Sequence, residues 1–290
     1  MKYAYILAQK ENYSISKMLD WLSVSRSGYY DWIDREPSQQ AKRRERLKTE
    51  VIALFHELKQ RCGSPKITVE LNARGFPCSE NLVAEIMAEC DLKAKKGKGY
   101  AYFPAIYANT NVSSNLLKRN FTAEKPNQKW VADITYIKVA HGFAYLAAIM
   151  DLFSRKVVGW TLGENMTAEL VITAYQAAVA NRNIEPGGLI LHTDRGVQYR
   201  STDYLDAITE DKVIPSMSRK GNCWDNAVIE SFFSRLKVEA IYGYSFHYYN
   251  EVYSCVFEYI ELFYNPVRRH QTIGYLSPNE FEQNYKQKCA

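Results

Sequence analysis

The chain has 290 residues, of which 47% are hydrophobic, with 22 Tyr, 12 Phe and 5 Trp, a composition that excludes a disordered tail. No apolar run reaches the roughly 18 residues needed to cross a bilayer. The N-terminus also lacks the apolar stretch of a signal peptide, so we expect a cytoplasmic protein. The net charge of +5 is uneven, because residues 1–123 carry 20 Lys and Arg against 13 Asp and Glu. This basic front half favours a polyanionic partner.

Residues 1–107 are predicted to form an all-α, DNA-binding region. Two pairs of short helices, near residues 14–32 and 67–87, have the outline of a helix-turn-helix. Either pair alone is more often an ordinary helical hairpin, but two pairs in a basic half-chain favour DNA binding. Lys95 and Lys96 lie in a strip rich in Lys and Gly that is either a solvated linker or a phosphate-contacting segment. Residues 108–128, rich in Asn, Thr, Ser and Lys, are predicted to be an interdomain linker.

From residue 129 the pattern changes to an α/β one. Three segments rich in β-branched and aromatic residues predict an antiparallel meander: Trp130–Val139, Phe143–Met150 and Lys156–Thr161. The elements that follow are a helix at Ala168–Ala180, a strand at Leu189–Thr193, a helix near Thr202–Thr209, a strand near Val213–Met217 and a helix from Asp225. The order βββαβαβα predicts a ribonuclease-H-like core, with a mixed five-stranded sheet and helices, over residues 129–245. Residues 246–290 are predicted to be a C-terminal helical extension.

Three acidic residues are candidates for one shared site. Asp133 lies inside an apolar strand, where an unpaired charge is costly, and Asp194 lies at the exit of a buried strand. The helix predicted from Asp225 has an apolar stripe with a polar stripe beside it. Glu230 lies on the polar stripe, and Lys237 lies on that polar stripe two turns later. Three carboxylates in one pocket repel one another without cations, so we expect either weak folded order or raised pKa values in the metal-free site. Their oxygens suit Mg²⁺ or Mn²⁺, and two such ions serve an in-line displacement at phosphorus.

The sequence around these acids resembles a known family. Asp194 and Glu230 are separated by 35 residues, and this spacing looks like the DDE catalytic core of retroviral integrases and insertion-sequence transposases. Five motifs resemble the second-frame (OrfB) product of the IS-three insertion-sequence family: Trp130–Tyr136, His192–Tyr199, Gly221–Ala227, Glu230–Lys237 and Tyr264–His270. Upstream, Arg61–Ile67 resembles the helix-turn-helix of that family, with Lys66 at a position that is often arginine.

The resemblance implies a DNA transposase. Asp133, Asp194 and Glu230 would ligate two metal ions, and Lys237 would contact DNA near them. The implied reaction is cleavage at the ends of a DNA element, followed by attack of a 3′-hydroxyl on another phosphodiester. The implied partners are double-stranded DNA (element ends and target), further copies of the chain in a homo-oligomer on DNA, and an upstream-frame helix-turn-helix protein or fusion. Bound to DNA, the protein would be nucleoid-associated.

Several other residues are candidates for contact with DNA or for structural roles. Arg219 and Lys220 lie in a loop expected to cover the site, where they could clamp phosphates. Arg268 and Arg269 follow an aromatic-rich helix, and we favour DNA contact over a charge cap at the end of that helix. Asp225 is predicted to cap the helix of the third acid.

Two other functions are compatible with these residues. A structure-selective nuclease on the same fold would cut DNA without joining it. A catalytically silent DNA-binding regulator is the alternative from another class, although the presence of all three acids argues against it.

Overall fold

A computed structural model describes residues 1–96, 112–219 and 223–289. The helices of these ranges are α1 (Lys2–Ala8), α2 (Ile15–Trp21), α3 (Arg26–Asp34), α4 (Gln39–Glu57), α5 (Ser64–Ala73), α6 (Glu80–Glu89), α7 (Ala168–Ala180), α8 (Thr202–Glu210), α9 (Ala227–Leu236), α10 (Tyr249–Phe257) and α11 (Pro278–Cys289). The strands are β1 (Lys129–Val139), β2 (Gly142–Asp151), β3 (Val157–Gly163), β4 (Ile190–Thr193) and β5 (Ile214–Met217). Within these ranges no helix is both long and apolar enough to cross a membrane.

The five strands form one mixed sheet in the order β3-β2-β1-β4-β5. β1, β2 and β3 pair antiparallel in the predicted meander, while β4 and β5 run parallel to β1. The predicted order βββαβαβα and the mixed strand directions are therefore confirmed.

Alternation along β1 assigns each side chain to one of two faces of the sheet. Trp130 and Ala132 belong to a core built with α7 and α8. Val131 and Ile137 belong to the core on the other face, built with α9 and α10. Because Asp133 is two residues from Val131, it shares the face that α9 covers.

The N-terminal helices form two groups. α1, α2 and α3 enclose a small core of their own, around Ile6, Leu19 and Tyr29. α4, α5 and α6 contribute instead to the large core that also includes α9 and α10. The second predicted helix-turn-helix corresponds to α5 and α6, and the Ser79 Oγ accepts a bond from the Leu82 N–H at 3.3 Å at the start of α6. α1, which precedes the first predicted pair, was not predicted.

Arg61, after the end of α4, joins the helical region to the α/β region. Its guanidinium donates to both carboxylate oxygens of Glu258, at 3.0 and 3.1 Å, and to the backbone carbonyl of Glu239 at 3.2 Å. The Arg61 side chain is only 5% exposed. The pairing fixes the N-terminal helices against the C-terminal segment.

Some predicted features lie outside the described residues. These are Lys220, residues 97–99 of the basic strip and residues 108–111 of the predicted linker.

Candidate active site

Asp133 and Asp194 lie on neighbouring parallel strands. The ladder between β1 and β4 pairs Trp130 with Leu191 and Val131 with His192. The same register, continued by two residues, brings Asp133 level with Asp194, which follows the last residue of β4. Adjacent strands are about 4.8 Å apart, so both aspartates lie at one point on the sheet edge and on one face.

The start of α9 is attached beside Asp133. Asn226, the residue before α9, donates from Nδ2 to the carbonyl of Ala132 at 3.1 Å. Ile229 and Phe232 are buried against the sheet, as the apolar stripe predicted. Glu230 comes one turn after Asn226, on the exposed side of the helix.

The three carboxylates influence one another electrostatically. Burial, then the charges of Asp194 and Glu230, raise the pKa of Asp133 well above its usual value. Burial also raises the pKa of Asp194, although the Gly196 N–H at 2.8 Å and the charge of Arg200 oppose this shift. Burial and the charge of Asp194 raise the pKa of Glu230. The pKa values shift upward, as one of the two predicted outcomes required, but burial is the largest cause and repulsion between the acids comes after it.

The three acids do not form a closed metal cage. Over the described ranges, no group of three or more His, Cys, Asp and Glu side chains is close enough to hold an ion. Glu230 is exposed, whereas the two aspartates are partly buried. Repulsion between carboxylates with no cation among them disfavours closer approach. An exposed glutamate can relieve that repulsion through its rotatable side chain.

Lys237 lies beside this group of acids. Its ammonium is 4.6 Å from the centre of the Tyr136 ring, and the residue is 6% exposed. Burial lowers the pKa of Lys237, while Tyr136 and Asp133 act in the opposite direction. The structure thus brings Lys237 within electrostatic reach of Asp133, as the stripe on the last helix suggested.

His192 has a structural role. Its Nδ1 lies 2.8 Å from the Ser216 Oγ and its Nε2 lies 3.1 Å from the Ser218 Oγ. Burial lowers the pKa of His192 to about 4, so the imidazole is neutral at physiological pH. The ring therefore links the ends of β4 and β5 and supports the position of the adjacent Asp194.

Tyr199 ends the motif that contains Asp194, but it was not predicted to be a site residue. Its hydroxyl is buried and has no hydrogen-bond partner in the described part of the chain. Burial, then the charge of Asp133, raise the pKa of Tyr199 well above its usual value. The neutral phenol is thus a close neighbour of both aspartates.

Asp225 does not cap α9. It is fully buried and accepts a bond from the Asn115 Nδ2 at 2.8 Å. Arg119 and Arg219 also pair with it, each at 3.2 Å. Asp225 lies within a short 3₁₀ turn at Cys223–Asn226, and the cap position of α9 is the next residue, Asn226. The carboxylate therefore anchors the polypeptide before β1 to the loop before α9, and Arg219 is engaged at the base of this loop.

Arg268 and Arg269 are engaged in ion pairs with carboxylates. Arg268 is 6% exposed and donates to both oxygens of Glu239, at 2.7 and 2.9 Å. Arg269 donates to Glu70 at 2.7 Å and to Glu280 at 2.6 Å. These ion pairs engage both guanidinium groups, so they favour a structural role for Arg268 and Arg269 over the predicted DNA contact.

The remaining basic candidates lie around the helix-turn-helix. Lys66 lies in the first turn of α5 and is half-buried. Lys95 donates to the carbonyl of Glu239 at 3.3 Å, and Lys96 is exposed. Lys66 and Lys95 line the same cleft beside α9.

Known proteins match almost the whole chain. Integrase core domain models match residues 123–223 and 230–285, and an HTH-like domain model matches residues 42–99. The transposase InsF of insertion sequence IS3A from Escherichia coli (strain K12) is 42% identical over 97% of this chain and 98% of its own length. An uncharacterized 31 kDa protein of insertion element IS600 from Shigella sonnei is 38% identical over 94% of this chain and 100% of its own length.

Solved structures are more distant. An intasome of simian T-cell lymphotropic virus has a TM-score of 0.46 at 18% identity, over 80% of this chain and 74% of that chain. The HTLV-2 integrase catalytic core domain in complex with magnesium has a TM-score of 0.40 at 15% identity, over 54% and 97% of the two chains. The integrase core models and the mixed sheet identify the ribonuclease-H-like fold. With the relatives at 42% identity, they establish that the chain belongs to the IS3 family of insertion-sequence transposases.

Proposed function

We propose that Asp133, Asp194 and Glu230 are the DDE triad of this transposase and hold two Mg²⁺ or Mn²⁺ ions for cleavage and joining of DNA strands. The observation that carries the proposal is the register of β1 and β4, which aligns the two aspartates on the face covered by α9. Glu230 is proposed as the third acid because a hydrogen bond attaches the start of α9, the helix that bears it, beside Asp133.

The chemistry of the acids fits divalent cations. Three carboxylates supply the hard oxygen ligands that Mg²⁺ and Mn²⁺ prefer. Burial raises the pKa values of Asp133 and Asp194, and the charges of Asp194 and Glu230 add to the shift of Asp133, so that nearby positive charge would favour the ionised forms. When bound, two such ions stabilise the attacking and leaving oxygens of an in-line displacement at phosphorus.

The chain's own residues position the acids and the DNA. Hydrogen bonds with Ser216 and Ser218 hold His192, and this arrangement orients the strand end that bears Asp194. Lys237, held against the Tyr136 ring, contributes positive charge beside the acids, and we propose that it contacts a DNA phosphate near the reacting one.

DNA ends and target DNA are the proposed substrates. The helix-turn-helix of α5 and α6 is the proposed element for binding DNA ends, because an HTH-like model covers both helices. We further propose that the chain acts as a homo-oligomer on DNA in the cytoplasm, within the nucleoid, with an upstream-frame helix-turn-helix product as candidate partner or fusion.

A strand-transfer assay separates this activity from that of a nuclease. The full chain would be incubated with Mg²⁺, a target plasmid and a short duplex that represents the end of the DNA element. The duplex would carry the inverted repeat that flanks the gene of this protein, and its end would already be cleaved to a 3′-hydroxyl. The reactions would be run with and without the upstream-frame product. We expect the pre-cleaved end to become joined to the plasmid. A target plasmid that is cut but never joined, in either reaction, would contradict the proposal.

A further inference from the structure

A cleft of about 700 Å³ lies between the helix-turn-helix and the outer side of α9. One wall is the start of α5, from Gly63 to Lys66, and another is a stripe on α9 formed by Ala227, Ser231 and Arg235. The floor includes Arg155, in the turn between β2 and β3. The cleft therefore joins the proposed DNA-binding helices to the helix that bears Glu230.

Three arginines of the cleft are held in ion pairs with carboxylates. Arg61 pairs with Glu258, Arg268 with Glu239, and Arg269 with Glu70 and Glu280. Among the residues that line the cleft in the described ranges, Glu239 is the acidic one. Its negative charge is neutralised by Arg268.

Four further cations of the cleft have no carboxylate partner among the described residues: Lys66, Lys95, Arg155 and Arg235. Arg155 donates from Nη2 to the carbonyl of Phe121 at 3.3 Å, while its Nη1 is buried with no hydrogen-bond partner in these ranges. A buried guanidinium nitrogen with no acceptor is costly. An anion in the cleft would supply that acceptor.

Neighbouring groups indicate that the positive charge of the cleft is not compensated. Burial, then the charge of Arg268, lower the pKa of Lys66 to about 8. Burial, then the charges of Arg268, Lys66 and Arg155, lower the pKa of His270 to about 2. Neighbouring cations thus contribute to both shifts after burial, and clustered positive charge attracts polyanions.

The cleft adjoins the acids along α9. Ala227, Ser231 and Arg235 follow one another at four-residue spacing, so they lie on one side of the helix. Glu230 follows Ala227 by three residues and therefore flanks the start of this stripe. A strand that leaves the acids along α9 would enter the cleft at Ala227 and pass Arg235.

We propose that the cleft binds the phosphodiester backbone of the DNA strand that extends from the acidic site, with Lys66, Arg155 and Arg235 as phosphate contacts. The inference rests on the proposed function of the acidic site. Such contacts add affinity without reading sequence, because phosphates are the same at every step. The helix-turn-helix supplies the choice of sequence, and the cleft sets the path of the strand.

The salt dependence of DNA binding tests the proposed contacts. The dissociation constant of the full chain would be measured by fluorescence anisotropy in EDTA, with an element-end duplex and a scrambled duplex, over a range of NaCl concentrations. A plot of log affinity against log salt concentration has a negative slope, and each contact with a phosphate of duplex DNA contributes about 0.9 to its magnitude. In Lys66→Gln/Arg235→Gln, we therefore expect the slope to become shallower by about 1.8. The loss should be equal for both duplexes.

A matched control removes the same charge outside the cleft. Lys286 and Lys288 are exposed on α11, and Lys286→Gln/Lys288→Gln should keep the wild-type slope. A cleft variant with the wild-type slope, or a control with the same loss, would overturn the inference.

A conservative variant gives a second readout. Lys66 faces Arg268, Glu239, Cys62 and Arg235. Because its ammonium loses a proton near pH 8, wild-type affinity should fall between pH 7 and pH 9. Lys66→Arg should keep its affinity over that range, since a guanidinium stays charged. An equal fall in Lys66→Arg would count against the contact.

Inorganic phosphate distinguishes DNA from a small anionic ligand. Millimolar phosphate could raise the melting temperature of the wild type but not that of the cleft variant, while both proteins show the same salt dependence of DNA binding. In that case the cleft is a small-anion site and the inference fails. A wild type that binds DNA with the expected slopes but gives no strand transfer would refute the proposed function alone.

Discussion

Replacing Asp133 or Asp194 with Asn, or Glu230 with Gln, is expected to reduce strand transfer by about 10³-fold or more. Loss of metal-assisted charge stabilisation costs several kcal/mol in the transition state, and each 1.4 kcal/mol or so is a factor of ten in rate. DNA binding in EDTA should be unchanged or tighter, because each substitution removes a negative charge near the phosphates. The measurements are the initial rate of joining with a pre-cleaved end and the dissociation constant for the same duplex.

Glu210→Gln is the matched control. Glu210 is an exposed acid at the end of α8, close to the start of β5, whereas the proposed site lies at the opposite ends of β4 and β5. It should join DNA at the wild-type rate. If any one of the three acid variants also joined DNA at that rate, that residue would have to be removed from the catalytic assignment.

Mg²⁺ is expected to raise the melting temperature of the wild type at pH 8 and to leave that of Asp133→Asn unchanged. Without metal, Asp133→Asn should melt above the wild type at the same pH, because the amide removes a charge that burial and the neighbouring acids disfavour. A ligand that binds only the folded state stabilises it by RT ln(1 + [L]/Kd), so a chain that has lost its metal site gains nothing from Mg²⁺.

The pH dependence follows from the direction of the shifts. The pKa values of Asp133, Asp194 and Glu230 are raised in the folded chain, so their protonated forms are favoured there. The stability from these groups is fully present below their ordinary pKa values and is lost as pH rises through the raised values. The advantage of Asp133→Asn without metal should therefore disappear at pH 4. Equal Mg²⁺ stabilisation of the variant and the wild type at pH 8 would contradict this explanation, and Glu210→Gln serves again as the control.

The elements of the catalytic half were predictable because their patterns are local. Richness in β-branched and aromatic residues marked β1 and β2, and the apolar stripe with Ile229 and Phe232 marked the buried side of α9. The predicted order of elements then placed the three acids in one region. The alignment of Asp133 with Asp194 was not predictable, because it depends on the register between two strands that are far apart in the chain.

The roles of several charged residues could not be predicted for a similar reason. Arg268 pairs with Glu239, 29 residues away, and Asp225 binds Asn115, 110 residues away. Local sequence identifies a charge but not the partner that folding brings to it. The helix α1 was missed because its seven residues bury only Ile6 and it has no side-chain cap.

The number of Mn²⁺ ions bound per chain, measured by electron paramagnetic resonance on the complex with an element-end duplex, tests the shared acidic site most directly. Two bound ions per site are expected for the wild type, and a loss of at least one for Asp133→Asn/Asp194→Asn at the same Mn²⁺ concentration. Identical ion counts in the wild type and in this double variant would contradict the account.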